Sequence, residues 1–165
     1  MKTTILIPEY THPNFLEVCI EALIRNSRYK HDILVVGGDI EAPACDFQYN
    51  KDGQRCQKYS CIKEFLTTRK KWLEDNNVTF FDITEQRAEF KAKMEHERDD
   101  GLYHGGIDTA FNDNIGAELV KTKWFFWNWD DDFIATPDWD VNLFKYIDES
   151  RHDRVYLPTH VQPIV

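Results

Sequence analysis

Two short apolar runs with a helical pattern between them constrain this chain most. Thr3-Thr4-Ile5-Leu6-Ile7 is continuous, rich in β-branched side chains, and stopped by Pro8. A run without polar alternation reads as a strand buried on both faces. Ile33-Leu34-Val35-Val36 repeats the pattern and closes at Gly37-Gly38-Asp39. Between them His12-Pro13 opens a segment with Phe15, Leu16, Cys19, Ile20, Leu23 and Ile24 at helical spacing, and Pro13 suits a first helical turn. Strand, helix, strand in that order is a βαβ unit, which predicts a parallel pair with a right-handed crossover.

The alternation continues. Residues 41–59 show no period and read as a long loop, functional or mobile. Ile62, Phe65, Leu66, Arg69, Trp72 and Leu73 mark an amphipathic helix ending near Asn76-Asn77, and Val78 to Ile83 is a third strand. Thr84 to Arg98 is highly charged, with Ala88, Phe90 and Met94 as its apolar positions, and reads as a weakly packed helix or a mobile segment. After a turn-rich stretch from Gly101 to Gly106, Ile107, Ala110, Phe111, Ile115 and Leu119 predict a helix to about Lys121. Trp124 to Trp129 is a fourth strand, nearly all aromatic, running into Asp130-Asp131-Asp132. Thr136-Pro137-Asp138 starts a helix with the stripe Trp139, Leu143, Phe144 and Ile147, and Arg154 to Leu157 is a last strand before Pro158. The expected fold class is α/β, a three-layer α/β/α domain with a mainly parallel central sheet, spanning 1–165 as one unit.

A formal net charge of −9 argues against a nucleic-acid partner. No apolar run approaches the roughly 18 residues of a membrane span, and without a signal-peptide pattern the expected location is cytoplasmic. Cys19, Cys45, Cys56 and Cys61 form no C-x-x-C pair, against a zinc site. Cys19 is expected in the core. The other cysteines share the long loop, where a disulfide is open and reduced thiols are favoured. The aromatics between Trp124 and Trp139 are expected mostly in the core, with exposed surface for a partner protein or an oligomer as the alternative.

The acidic run carries the chemistry. Residues i and i+2 of an extended or turning backbone point the same way, so Asp130 and Asp132 converge. Two such carboxylates repel unless one is protonated or a cation lies between them. A hard divalent ion, Mn²⁺ or Mg²⁺, suits the pair and would bridge to a diphosphate. In parallel sheets ligands bind beyond the carboxyl ends of strands. Pro8 to His12, Gly37 to Asp39 and Asp130 to Asp132 are all expected on that edge. The bland alternative is a solvated acidic turn, and His12 is expected to be a surface histidine.

Taken in order, these segments resemble glycosyltransferase family 2, inverting enzymes of the GT-A fold. The likeness rests on Ile5-Leu6-Ile7-Pro8-Glu9-Tyr10 with its Pro-x-Tyr turn and on the strand Ile33 to Val36. It continues in Asn114-Ile115-Gly116 before an aromatic strand and a D-x-D run, and in Pro137-Asp138-Trp139 after it. It covers nearly the whole chain, but only the family's N-terminal, donor-binding half. The resemblance implies that Pro8, Glu9 and Tyr10 lie against the nucleotide base and that Asp39 grips base or ribose. Asn114 would sit near the donor, with Asn112 competing for that position, and Gly116 alternatively serves close helix packing. Asp130 and Asp131 would contact the donor, and Asp130 and Asp132 would hold the metal. The implied activity is metal-dependent, inverting transfer of a sugar from a UDP- or GDP-sugar to an unknown acceptor. The alternative is a non-catalytic or partner-dependent nucleotide-sugar binding module. A nucleotidyltransferase would carry a Gly-rich basic loop after the first strand, which Pro8 to Pro13 lacks.

The chain departs from the family in four places. Gly37 and Gly38 stand where acids usually follow the second strand. Asp113 replaces an Arg common before the helix Asn, leaving an expected cation near the phosphates missing. Residues 48–61 have no counterpart. The acceptor half with its catalytic carboxylate is expected to be absent. His160 is the candidate base or a further metal ligand, and Asp148 and Glu149 read as a solvated helix end.

Overall fold

The computed structural model describes residues 3–97, 105–145 and 147. Strand β1 (Thr4–Pro8) leads through helix α1 (Pro13–Asn26) to β2 (Asp32–Gly37). A small hairpin, β3 (Gln48–Tyr49) and β4 (Arg55–Cys56), precedes α2 (Ile62–Thr68), α3 (Lys70–Asp75) and β5 (Val78–Asp82). Then come α4 (Thr84–Glu97), α5 (Gly105–Leu119), β6 (Phe125–Trp127) and α6 (Trp139–Phe144).

The main sheet runs β5-β2-β1-β6 and every pairing is parallel, with Leu6 opposite both Leu34 and Trp127. β1 is buried throughout, as its unbroken apolar run requires. Successive side chains of a strand point to opposite faces. Ile5, Ile7, Ile33 and Val35 therefore pack with Leu16, Ile20 and Leu23 of α1 and Ile62 and Phe65 of α2. Leu6 and Val36 pack with Phe111, Ile115 and Leu119 of α5 on the other face. Helices thus flank the sheet on both sides. A Cβ on Gly116 would lie 2.5 Å from Leu6 Cδ1, so this glycine lets α5 sit close on β1.

Several expectations change. Residues 41–59 are largely the expected loop, but they are held in place. They contain the β3–β4 hairpin, and buried carboxylates pin them to α1. Asp46 accepts hydrogen bonds from Asn14 Nδ2 at 2.7 Å and from the Phe15 N–H at 2.5 Å. His12, the N-cap of α1, provides no side-chain cap, so Asp46 from this segment does the capping. Glu17, 3% exposed, accepts from the Tyr59 hydroxyl at 2.8 Å and Lys58 Nζ at 2.6 Å and forms an ion pair with Arg69 Nε at 3.1 Å. The expected single helix from Ile62 to near Asn76 breaks at Arg69, which leaves helical geometry with ψ 9. Thr84 to Glu97 is a helix, with Phe90 stacked on Phe111 at 4.4 Å.

The aromatic segment is far less buried than expected. Phe126 packs on Trp139 at 4.7 Å, yet Phe125, Trp127, Trp129 and Phe133 are each nearly half exposed along the β6 side of the sheet. The helix expected from Thr136 begins at Trp139, with Asp138 in the left-handed region at φ 53 as its N-cap. Asp140, 0% exposed, accepts the N–H groups of Arg28 at 3.0 Å and Tyr29 at 2.8 Å and pairs with His31 Nε2 at 2.9 Å. All four cysteines are free thiols and Cys19 is in the core. Among the described residues no helix is long and apolar enough to cross a membrane. The strand expected at 154–157, Asp148 and Glu149 lie outside the described residues.

Asp140 ties α6 to the turn between α1 and β2, alongside the Trp139 Nε1–H donated to Ser27 Oγ at 2.9 Å. Asp140→Ala is expected to strand two backbone N–H groups and a buried imidazole, lowering unfolding free energy by about 3–5 kcal/mol. Urea denaturation measures this, and a loss below about 1 kcal/mol would show that the clamp carries little.

Candidate functional site

β2 and then β5 lie to one side of β1, and β6 returns to the other side. The strand order therefore reverses at β1, and the crevice beyond the carboxyl ends of β1 and β6 is where such sheets take ligands. Main-chain pairing continues past β6, since the Asn128 N–H donates to the Leu6 carbonyl at 3.0 Å. Asn128, 5% exposed, holds the following turn with its Nδ2 donating to the carbonyls of Trp129 at 2.8 Å and Asp132 at 3.1 Å. That turn delivers Asp130, 3% exposed, to the end of β1. Its Oδ2 accepts the Tyr10 N–H at 3.0 Å and meets His12 Nδ1 at 3.1 Å.

His12 is consequently no ordinary surface histidine. The hydrogen bond to Asp130 raises its pKa to about 9, so an imidazolium faces Asp130 at neutral pH. Asp131 is exposed and Asp132 half-buried. Oδ1 of Asp130 and the carboxylates of Asp131 and Asp132 bond none of the described residues. Among the described residues no group of three or more His, Cys, Asp or Glu is placed to hold a metal. His12 already supplies part of the countercharge that the sequence reading assigned to the metal.

Pro8 and Glu9, expected against a nucleotide base, are buried beneath the turn. Glu9 is 0% exposed, and its Oε1 accepts the His12 N–H at 2.7 Å. Burial, reinforced by the charge of Asp130, pushes its pKa up to about 8. A Cβ on Gly37 would lie 2.6 Å from Glu9 Oε2, so this glycine makes room for Glu9. Asn112, also 0% exposed, donates to the Glu9 carbonyl at 3.2 Å. Asn114 is exposed. Two residues turn an α-helix by about 200°, so Asn112 rather than Asn114 reaches the site.

The end of β2 supplies the other rim. Asp39 takes φ 57, and its N–H donates to Thr84 Oγ1 at 2.8 Å. Its Oδ2 lies 3.4 Å from Arg87 Nη1 and 3.9 Å from Lys91 Nζ. Arg87 Cζ stands 5.9 Å from the centroid of the Tyr10 ring. An open groove of about 560 Å³ begins here, lined by Thr11, Asp39, Ile40, Asp82, Thr84 and Glu85. Tyr10, Asp39 and the Asp130 turn therefore share one sheet edge, as the sequence reading expects. It missed Arg87, buried on the charged helix α4, and the His12–Asp130 pair. The only hint of Arg87 in the sequence is the second glycine at Gly38. His160 lies outside the described residues. No protein-family model matches the chain, and no curated protein matches it either.

The pKa values of Glu9, about 8, and His12, about 9, stand above their ordinary values of 4.5 and 6.5. The folded state therefore keeps protons that the unfolded chain releases, and stability falls as pH rises. The fall runs from 4.5 to about 8 for Glu9 and from 6.5 to about 9 for His12. Thermal melts are expected to show Glu9→Gln gaining on the wild type steadily between about pH 5 and 8. A difference constant across that window would contradict the buried neutral acid.

Proposed function

We propose that the chain binds a nucleoside-diphosphate sugar, UDP- or GDP-linked, at the β1–β6 crevice and acts as an inverting glycosyltransferase of the GT-A type. The observation that carries this reading is the Tyr10 N–H on Asp130 at 3.0 Å, which sets the acidic turn against the Pro-x-Tyr turn at the reversal point of the sheet. On this reading the nucleoside occupies the groove beside Tyr10 and Asp39. The Tyr10 ring packs on the base, and the Asp39 carboxylate accepts from ribose hydroxyls. Asp132 and Oδ1 of Asp130 would hold Mn²⁺ or Mg²⁺, which when bound neutralises charge on the diphosphate leaving group. His12 orients Asp130 through its ring nitrogen at 3.1 Å. Transfer also requires a base for the acceptor hydroxyl.

Calorimetry against UDP- and GDP-sugars, with and without Mn²⁺, tests the reading. Saturable, metal-dependent binding is expected. Asp132→Ala should weaken it at least about tenfold while leaving stability within about 0.5 kcal/mol, because the side chain bonds no described residue. Release of free nucleoside diphosphate in the same mixtures marks an enzyme. Binding without hydrolysis or transfer marks a nucleotide-sugar binding module. No binding by any donor overturns both.

A further inference from the structure

We infer that the exposed aromatic rings on either side of the acidic turn, Trp127 and Trp129 before it and Phe133 after it, bind a saccharide acceptor. The acceptor role rests on the nucleotide-sugar reading above.

Trp127, Trp129 and Phe133 are 49%, 49% and 48% exposed. Core packing does not account for them. Trp127 stands in register with Leu6, on the face of the sheet where α5 packs. That helix rests on β1 and β2 and leaves the indole open. A group of large apolar side chains held open in this way marks a binding surface. Trp127 and Trp129 meet edge to face at 6.1 Å. Phe133 meets Phe15 edge to face at 6.3 Å, and Phe15 lies 6.1 Å from the His12 ring. The aromatic surface therefore reaches back to the His12–Asp130 pair.

The backbone beneath the rings is fixed. The Trp129 carbonyl accepts from Asn128 Nδ2 at 2.8 Å and from the Asp132 N–H at 3.2 Å. Asn26 Nδ2, reaching across from α1, donates to the Ile134 carbonyl at 2.5 Å. Rings on a pinned backbone present a ready surface and lose little freedom when a ligand arrives.

Charge selects the ligand. The face of an aromatic ring is electron-rich and attracts polarised C–H groups. A pyranose offers such groups on one side and hydroxyls around its edge. Asp131, exposed on the same turn, bonds none of the described residues and can accept from those hydroxyls. An anionic acceptor would meet like charge along Asp130 to Asp132. A wholly apolar one would strip water from these carboxylates and give nothing back. Position completes the argument. Trp129 adjoins Asp130 and Phe133 adjoins Asp132, so a sugar stacked here lies beside the turn assigned to the donor's metal and diphosphate.

The test titrates the full chain with neutral tetrasaccharides of glucose, mannose, galactose or N-acetylglucosamine, read by calorimetry. Saturation by at least one of them below about 10 mM is expected. Trp129→Ala and Phe133→Ala should each weaken it at least about tenfold, and Trp129→Phe should keep part of the affinity. Tyr29→Ala removes a ring 47% exposed before β2, at the opposite end of the sheet, and should leave binding unchanged. Binding by no tetrasaccharide, or binding that survives both ring deletions, overturns the inference. So does a wild-type dimer that Trp127→Ala dissociates in light scattering, which assigns the rings to a second copy. Tighter binding of tetralysine than of any tetrasaccharide, lost in Trp129→Ala, assigns them to a cationic ligand and overturns it as well. None of these outcomes touches donor binding by the wild type. A chain that binds saccharide but no nucleotide-sugar removes the nucleotide-sugar reading, and the acceptor role with it.

Discussion

One carboxylate oxygen organises this molecule's carboxyl edge. Asp130 Oδ2 joins the end of β6 to the turn after β1 through the Tyr10 N–H and the His12 ring. A buried carboxylate is costly unless donors and an opposite charge surround it. Here a backbone amide and an imidazolium do so. The consequences spread outward. Asp130 holds His12 protonated, and its charge helps hold Glu9 neutral beneath the turn. Glu9 in turn accepts the His12 N–H and so closes the turn from below.

This turn is also the start of α1, and its rigidity is imported from distant chain. Pro13 provides no N–H, and the Phe15 N–H is met from outside the helix. Asp46 meets Phe15, and Asn14 Oδ1 returns the favour by accepting from Lys58 and Tyr59 at 2.8 and 2.9 Å. The irregular stretch between β2 and α2 is therefore part of the support for the site. Glycines 37 and 38 complete the arrangement by leaving space for Glu9 and Arg87.

Much of the frame was legible in the sequence. Apolar runs at β1 and β2 and the periodicity of α1 and α5 mark elements whose burial is set locally, and the structure has all of them. The carboxyl-edge placement of the Tyr10 turn, Asp39 and Asp130 followed from their positions just after strands of a parallel sheet. What stayed hidden depends on partners far apart in sequence. Nothing near His12 signals a carboxylate 118 residues away. Nothing in the α4 sequence separates Arg87 from its charged neighbours. Asn112 and Asn114 differ only in helix phase, and phase is fixed by where Gly116 meets Leu6. The aromatic strand misled because large apolar side chains suggest a core. β6 lies at the end of the sheet order, and the side chains that alternate with Phe126 remain open among the described residues.

The reading of function turns on whether the acidic turn holds a cation against a diphosphate. The most direct measurement is anomalous diffraction from crystals grown with Mn²⁺ and a nucleoside diphosphate. The account requires a manganese peak within about 2.3 Å of an Asp132 oxygen, bridged to phosphate, with the base beside Tyr10. A nucleotide bound on this edge with no metal at Asp130 or Asp132, or a metal–nucleotide pair bound elsewhere on the protein, would contradict it.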